Sequence, residues 1–556
     1  MTATASRVDD GRPRPDLRLL PVALAAWCGT GAGVMLPASM RPAVVAGVVL
    51  AAAATALAAL RAPGARPHRV TGPGARRPTG PGVRQLVRAA GSVSVLAVLV
   101  VGTAAAATGA LADARRTAGP VAALAASGTS ARVEVVVARV PRPLGGAAAP
   151  GSVLAHVRVA AVHGTPVAGW PGGGGSAVTV LADRDWSRLA PGTRVAATLE
   201  FRPRRGVSGD AASAVVRGPP TVLGRPAGLR ASAGRVRSGL ARVSAPLGQP
   251  ASGLLPAIVH GDTSGVPPEV TEQFRVSGLA HLQAVSGANV AFVVIAVTGA
   301  VVAMGGGRRV SAVLGCTAVV GFAVLADLSP PVVRAAATAV LVLVGGRGAP
   351  GRGPALLCTA VTLLLLVDPW LSVDLGFALS VSATAGILLG APRFVAALST
   401  WLPVPVASAV GVGLAAQVAC QLLLVCLADQ VGLVAPFSNL AAEPAVALAT
   451  LAGVLAAVLA AVPVRGPVGA ALQVAASGSA QVGGAACRWL ALVARTGAAA
   501  PGATADWAGT AVGVTAAVAV TILALATGPA LLRRRRIAVT VAGAMLGLVL
   551  GPVVLG

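Results

Sequence analysis

The chain has no lysine and no tyrosine, and it has only 18 acidic residues among 556. Charged residues make up 11% of it, where a soluble protein carries roughly 25%. Without lysine there is no phosphate-binding loop of the G-x-x-x-x-G-K type, so ATP-driven work by this chain is not expected. Aromatics are 3% of the residues, which leaves little from which to build a surface that stacks bases. The six cysteines are Cys28, Cys316, Cys358, Cys420, Cys426 and Cys487, all in or beside apolar segments. Residues 114–250 contain none, and no C-x-x-C pair occurs. A disulfide in that region, a zinc ribbon and dithiol redox chemistry are thereby excluded.

What is present is apolar. Hydrophobic residues reach 55% and the mean hydropathy is +0.80. Runs of about 20 apolar residues recur, which predicts a polytopic α-helical membrane protein of about 10–13 spans. Small residues dominate these runs and allow close helix packing. The net charge of +26 is carried by arginine. Arginine on cytoplasmic loops fixes topology, and it also binds phosphates bidentately; both readings apply.

Residues 1–113 are expected to form about three spans, with apolar runs at 19–38, 43–60 and 90–112 and an intervening loop, 61–88, rich in arginine, proline and glycine. That loop places the N-terminus in the cytoplasm. Residues 114–230 are then extracytoplasmic. There, ARVEVVVARV, VLAHVRVAAV, AVTVLA, TRVAATLEF and SAVVRG alternate apolar and polar residues between Gly/Pro turns, the pattern of short half-buried strands. A small β-barrel inserted among the spans is expected, OB-like in type, with a β-sandwich as the plainer reading. Trp170, Trp186 and Phe201 are its candidate stacking residues. Residues 225–250 form a basic linker. Arg230, Arg235, Arg237 and Arg242 interleave with apolar residues and suggest an interfacial amphipathic helix and candidate phosphate contacts. Residues 251–556 form the transmembrane core, with apolar runs near 285–303, 310–326, 332–344, 355–367, 373–390, 406–428, 443–463, 468–494, 508–529 and 537–555. Pro436 suggests a broken segment at 431–442.

The most polar passage of the core is 253–294. Pro267 and Pro268 before Glu269 read as a helix start. His281 and Ser286–Asn289 then stand at the entrance of the next span, where Gly287 permits a tight turn. Asp262, Glu269, His281, Ser286, Asn289, Arg334, Gln417 and Asn439 are the candidate channel or gate residues. Each also has a plain structural role open to it: Arg334 could pair with Asp327 or Asp374, and Gln417 and Asn439 could simply bond between helices.

The passage resembles the signature of the ComEC/Rec2 family of DNA-uptake proteins. Leu254, Ala257, Gly261, Asp262, Pro267, Pro268, Glu269, Ser277, Gly278, Leu279, His281, Leu282, Ala284, Val285, Ser286 and Gly287 carry the resemblance, with Ala288 and Asn289 where many relatives have Leu-His. LSPPVVRAAATAVLVLVG (328–345), the Asp-Pro and Gly-Phe-x-Leu-Ser segment at 368–389, and 414–446 with its Ala-Ala-Gln and Asn-Leu-x-x-x-Pro follow in the family's order. The resemblance implies a cell-membrane channel for single-stranded DNA in natural transformation. It also implies membrane lipid as surroundings, with a separate DNA receptor, motor ATPase and nuclease, and self-association of the chain as a further partner expectation. The His-x-His-x-Asp-His cluster of the family's C-terminal metallo-β-lactamase-like domain does not occur, so no catalytic residue, metal or cofactor is expected. Two other classes fit the composition: a transporter of a small or lipid-like solute, and a membrane scaffold whose β-domain binds a partner.

Overall fold

A computed structural model of the chain describes residues 15–35, 81–144, 152–166, 176–204, 209–283, 285–345, 351–425, 430–432, 434–464, 466–506 and 527–531. The expected run at 43–60, the run at 537–555, most of 508–529 and most of the 61–88 loop lie outside the described residues, as do Trp170 and Cys426. The chain divides into two units: residues 1–112 with 344–372, and residues 113–343 with 373–556.

In the first unit, α1 (Leu20–Met35) packs on α2 (Pro81–Thr117) through small residues. A Cβ on Gly29 would lie 2.6 Å from the Gly102 carbonyl, and one on Gly33 2.6 Å from that of Ala106. Two glycines four apart thus let the backbones touch, the small-xxx-small packing of membrane helices. The same unit holds α10 (Gly353–Val367), which packs on α1. Beside it, Trp27 donates its indole N–H to the Ser372 carbonyl at 3.0 Å.

The second unit opens with α3 (Pro120–Ser127) and a barrel of β1 (Ser130–Val137), β2 (Val153–Val162), β3 (Ser176–Ala182), β4 (Arg194–Arg202) and β5 (Ala212–Gly224). β1 pairs antiparallel with β2 and β4, β2 with β3, and β4 with β5; β5 runs parallel to β3 and closes the ring in the order 1-2-3-5-4. The alternation read from the sequence decides which side chains enter. Val133, Val135, Val157, Val159, Val178, Val180, Leu199 and Phe201 point inward and are buried. Trp186, from the turn at Arg184–Arg188, is also fully buried in this core. Trp186 and Phe201 are therefore core residues, and the expectation that they stack bases is corrected.

The barrel is followed by α4 (Gly228–Ser244), α5 (Ala251–His260), α6 (Pro268–Val276), α7 (Gly287–Ala303), α8 (Arg308–Leu325), α9 (Pro330–Gly345), α11 (Leu375–Leu398), α12 (Val404–Val425), α13 (Ala435–Ala461) and α14 (Gly466–Ala499). The Pro-Pro-Glu motif starts α6. Pro436 sits in the first turn of α13, where a missing N–H costs nothing, and the helix then runs unbroken to Ala461. The expected break at 431–442 is corrected accordingly. Leu240 and Val243 of α4 join the bundle core, and Gly239 lies against Ala460. Val236, Leu240 and Val243 thus turn the apolar face of α4 onto protein rather than lipid, with Leu229 at its start left exposed, which corrects the expected interfacial helix over most of its length.

Among the described residues, five helical segments are long and apolar enough to cross a membrane: 97–117, 308–325, 375–398, 404–421 and 437–461. Five more described helices are apolar but shorter, among them α5, α7 and α10. The 34 residues of α14 are not among either group, because Arg488, Arg495 and two glutamines dilute the run.

Candidate functional site

Arg334 is the fifth residue of α9 and only 4% exposed. Its Nε donates to Ser380 Oγ at 2.7 Å and its Nη1 to Thr384 Oγ1 at 3.1 Å. Ser380 and Thr384 stand four apart on α11 and so share one face. The remaining nitrogen, Nη2, faces the first residue of α7: a Cβ on Gly287 would be 2.8 Å from it. Gly287 thus gives room for the close approach of a guanidinium and is not in a left-handed turn. Neither expected acid pairs with Arg334. Asp374 caps α11 by accepting from Phe377 N at 2.6 Å. Asp327 accepts from Arg237 through one oxygen and from Val140 N at 3.1 Å through the other.

Two further contacts tie the helices at this level. Ser286, the residue before α7, donates to Asn289 Oδ1 at 3.1 Å, and Asn289 Nδ2 donates to the Ile258 carbonyl of α5 at 2.9 Å. Asn439 Nδ2 donates to Gln417 Oε1 at 2.9 Å and links α13 to α12. Ser382 of α11 donates to the Ala419 carbonyl at 2.8 Å, so Gln417 lies near the level of the α11 hydroxyls. Gly287, Arg334, Ser380 and Asn439 all fall in the first two turns of their helices. That end also carries the barrel, since Val140, on the connection from β1 to β2, bonds to Asp327 in the turn just before α9.

The loop residues form no common site. Asp262 accepts from Ser264 N at 3.0 Å and Ser264 Oγ at 2.6 Å, a local turn. Glu269 is exposed in the first turn of α6. His281 is exposed, with Nδ1 3.2 Å from the Gly278 carbonyl.

The arginines of α4 divide. Arg237 bonds to the Val324 and Leu325 carbonyls at the end of α8 and to Asp327, and Arg242 bonds to the Ala460 carbonyl at 3.1 Å. Arg237 is withdrawn into the protein, its side chain 11% exposed, which corrects its expected place on DNA. Arg230, Arg235 and Arg242 are exposed. Arg230, Arg237, Ala138, Pro191 and Asp327 line a small cavity between α4, the barrel and the turn before α9. Burial there outweighs the neighbouring Arg237 charge and holds the Asp327 carboxyl above the ordinary aspartate range.

On the barrel surface, Arg204 Nη1 donates to Asp210 at 2.5 Å and to Thr179 Oγ1 at 2.9 Å, and Thr179 donates to Asp210 at 2.6 Å. His156 Nδ1 lies 3.3 Å from Thr179 Oγ1. Burial, then the Arg139 charge, lowers the His156 pKa. Among the described residues no group of three His, Cys, Asp or Glu side chains could hold a metal ion.

A family model described as Competence protein matches residues 258–534. Residues 258–534 are a domain of the competence protein family, of ComEC/Rec2 type. Gly287, Asn289, Arg334, Ser380, Thr384, Gln417 and Asn439 all fall inside the matched competence domain, whereas the barrel and α4 precede it. No match was found among curated proteins or solved structures. Sequence reasoning singled out Arg334, Gln417 and Asn439 but missed Ser380 and Thr384. The available signal was two hydroxyls at i and i+4, the first of them in the Gly-Phe-x-Leu-Ser block.

Proposed function

We propose that the chain is a cell-membrane channel for uptake of single-stranded DNA in natural transformation. The observation that carries this is convergence: residues from blocks far apart in the competence domain meet at the end of the bundle that holds the barrel. α7, α9 and α11 begin there, so the positive ends of three helix dipoles join the Arg334 cation. That potential suits a polyanion.

The barrel serves in this reading as an extracytoplasmic gathering domain of OB-like type. The strand order 1-2-3-5-4, closed on itself with one parallel pair, supports that type. Residues 130–224 carry eleven arginines against five acids, while Trp186 and Phe201 are internal. The strand is therefore held by its phosphates more than by base stacking, and binding weakens steeply with salt. Arg308, Arg309 and Arg393 stand toward the end of the bundle opposite the barrel, which supports a cytoplasmic placement of that end. A separate receptor, motor ATPase and nuclease complete the pathway, and no catalytic step is assigned to this chain.

The test is an in-frame deletion in a strain shown to be competent. Loss of transformants, restored by the intact chain, supports the reading. An unchanged yield with added DNA refutes it.

A further inference from the structure

Arg334 is a permanent cation almost wholly inside the protein, and among the described residues its bonds go only to neutral hydroxyls. A buried charge with neutral partners alone is costly. The two acids expected to pair with it are already engaged, Asp327 by Arg237 and Val140, and Asp374 by the start of α11. Its Nη2 points at the first turn of α7, a helix of 17 residues. The N-cap residue of that helix, Ser286, gives its hydroxyl to Asn289 and leaves the first-turn amides without a side-chain cap. A buried cation therefore faces an uncapped helix start. Gly287, Ser380 and Thr384 are only half-buried, so the place can be reached from outside.

We propose that Gly287, Arg334, Ser380 and Thr384 form a binding site for a phosphate oxyanion, filled by successive phosphodiester groups of DNA at the mouth of the competence domain. The identity of the donor strand rests on the channel reading; the anion site itself does not. The Nη2 of the guanidinium, the Ser380 hydroxyl and the backbone amides of α7 offer donors to a tetrahedral group from three helices, while Thr384, whose hydroxyl donates to the Ser380 carbonyl at 2.9 Å, holds Nη1 in place. The missing side chain at Gly287 leaves the room: a methyl group there would press on Nη2. One cation with neutral hydroxyls also holds a phosphate loosely enough to release it.

The test uses the purified full chain in phosphatidylcholine nanodiscs, with thermal unfolding followed while sodium phosphate replaces sodium chloride at constant ionic strength. Phosphate is expected to raise the unfolding midpoint of the wild type. Arg334→Gln should weaken the response by roughly tenfold or more, Arg334→Lys should retain part of it, and Gly287→Ala should weaken it with Arg334 intact. Because Arg334→Gln could unfold the bundle, Ser380→Ala/Thr384→Ala provides a second variant, expected to lower phosphate affinity while leaving the size-exclusion profile unchanged. Competition between phosphate and a short fluorescent oligothymidylate identifies the source as DNA. Competition seen in phosphatidylcholine but lost in phosphatidylglycerol nanodiscs supports the oxyanion site with a lipid headgroup as its occupant. The proposal is overturned if phosphate does not shift the wild type, or shifts folded Arg334→Gln with the same midpoint concentration. A working phosphate site with normal transformation by Arg334→Gln cells would count against the channel reading alone. An absent site in a chain still required for transformation would count against the site alone.

Discussion

Asp327 joins three parts of the molecule, and removing its carboxylate should loosen the barrel from the bundle. Its side chain is 12% exposed and that of Arg237 11%. A pair this buried lies nearer the interior case, where deleting one partner costs about 3–5 kcal/mol, than the surface case of about 0–1 kcal/mol. In Asp327→Ala, Arg237 keeps the Val324 and Leu325 carbonyls, while Val140 N loses its acceptor. The retained bonds bring the expected loss to about 2–3 kcal/mol, or roughly a 30–150-fold fall in the docking equilibrium. Hydrogen exchange of the amides at 138–142 in the full chain reads this directly, as a fall in protection of that size. Burial already holds the Asp327 carboxyl above its ordinary range, so the pair resists removal of one member far more than removal of both. Arg237→Met/Asp327→Leu should therefore be nearer the wild type than Asp327→Ala is, a coupling of about 2 kcal/mol in a double-mutant cycle. Protection within threefold of wild type in Asp327→Ala, or additive losses in the cycle, would refute the clamp.

Other expectations follow from single contacts. Phe201→Ala and Trp186→Ala should each destabilise the barrel by about 3–5 kcal/mol, yet leave single-stranded DNA affinity per folded molecule unchanged in a filter-binding assay at fixed salt. Asn289→Ala frees the Ile258 carbonyl and should cost about 1–3 kcal/mol, read as a lower unfolding midpoint in detergent. For His156 the folded pKa lies below the ordinary value of 6.5 because of burial and then Arg139. As pH falls through that value the unfolded chain takes up the proton first, so the barrel should lose stability on acidification and hold it above neutrality. His156→Gln should flatten that dependence in hydrogen exchange of the barrel strands.

Much of this architecture was readable because it rests on local rules. Alternation in 132–137 and 153–159, broken only by Val136 and Leu154, placed the barrel strands, and Pro267–Pro268–Glu269 marked the start of α6. Even Phe201 was legible in principle, since it shares parity with Val195 and Leu199 and so points inward. Pro436 misled because proline both breaks helices and suits their first turn; only the continuation through Ala461 decides between them. The partners of Arg334 were not legible. Two acids stood nearby in sequence, but a backbone amide claims Asp374, and Arg237, 90 residues away, claims Asp327. The arginines of α4 looked equivalent along the sequence, and only the packing of α4 against the end of α8 separates the half-buried Arg237 from the exposed Arg230, Arg235 and Arg242.

The passage of DNA through the barrel-side mouth is tested most directly by photocross-linking during uptake. A photoreactive residue at Ser380 and another at Val302, which is 62% exposed on α7, are placed in otherwise intact chains in competent cells given labelled DNA. An adduct with single-stranded DNA from position 380 and none from 302 is the expected result. Active uptake with no adduct at 380, or equal adducts at both positions, would contradict it.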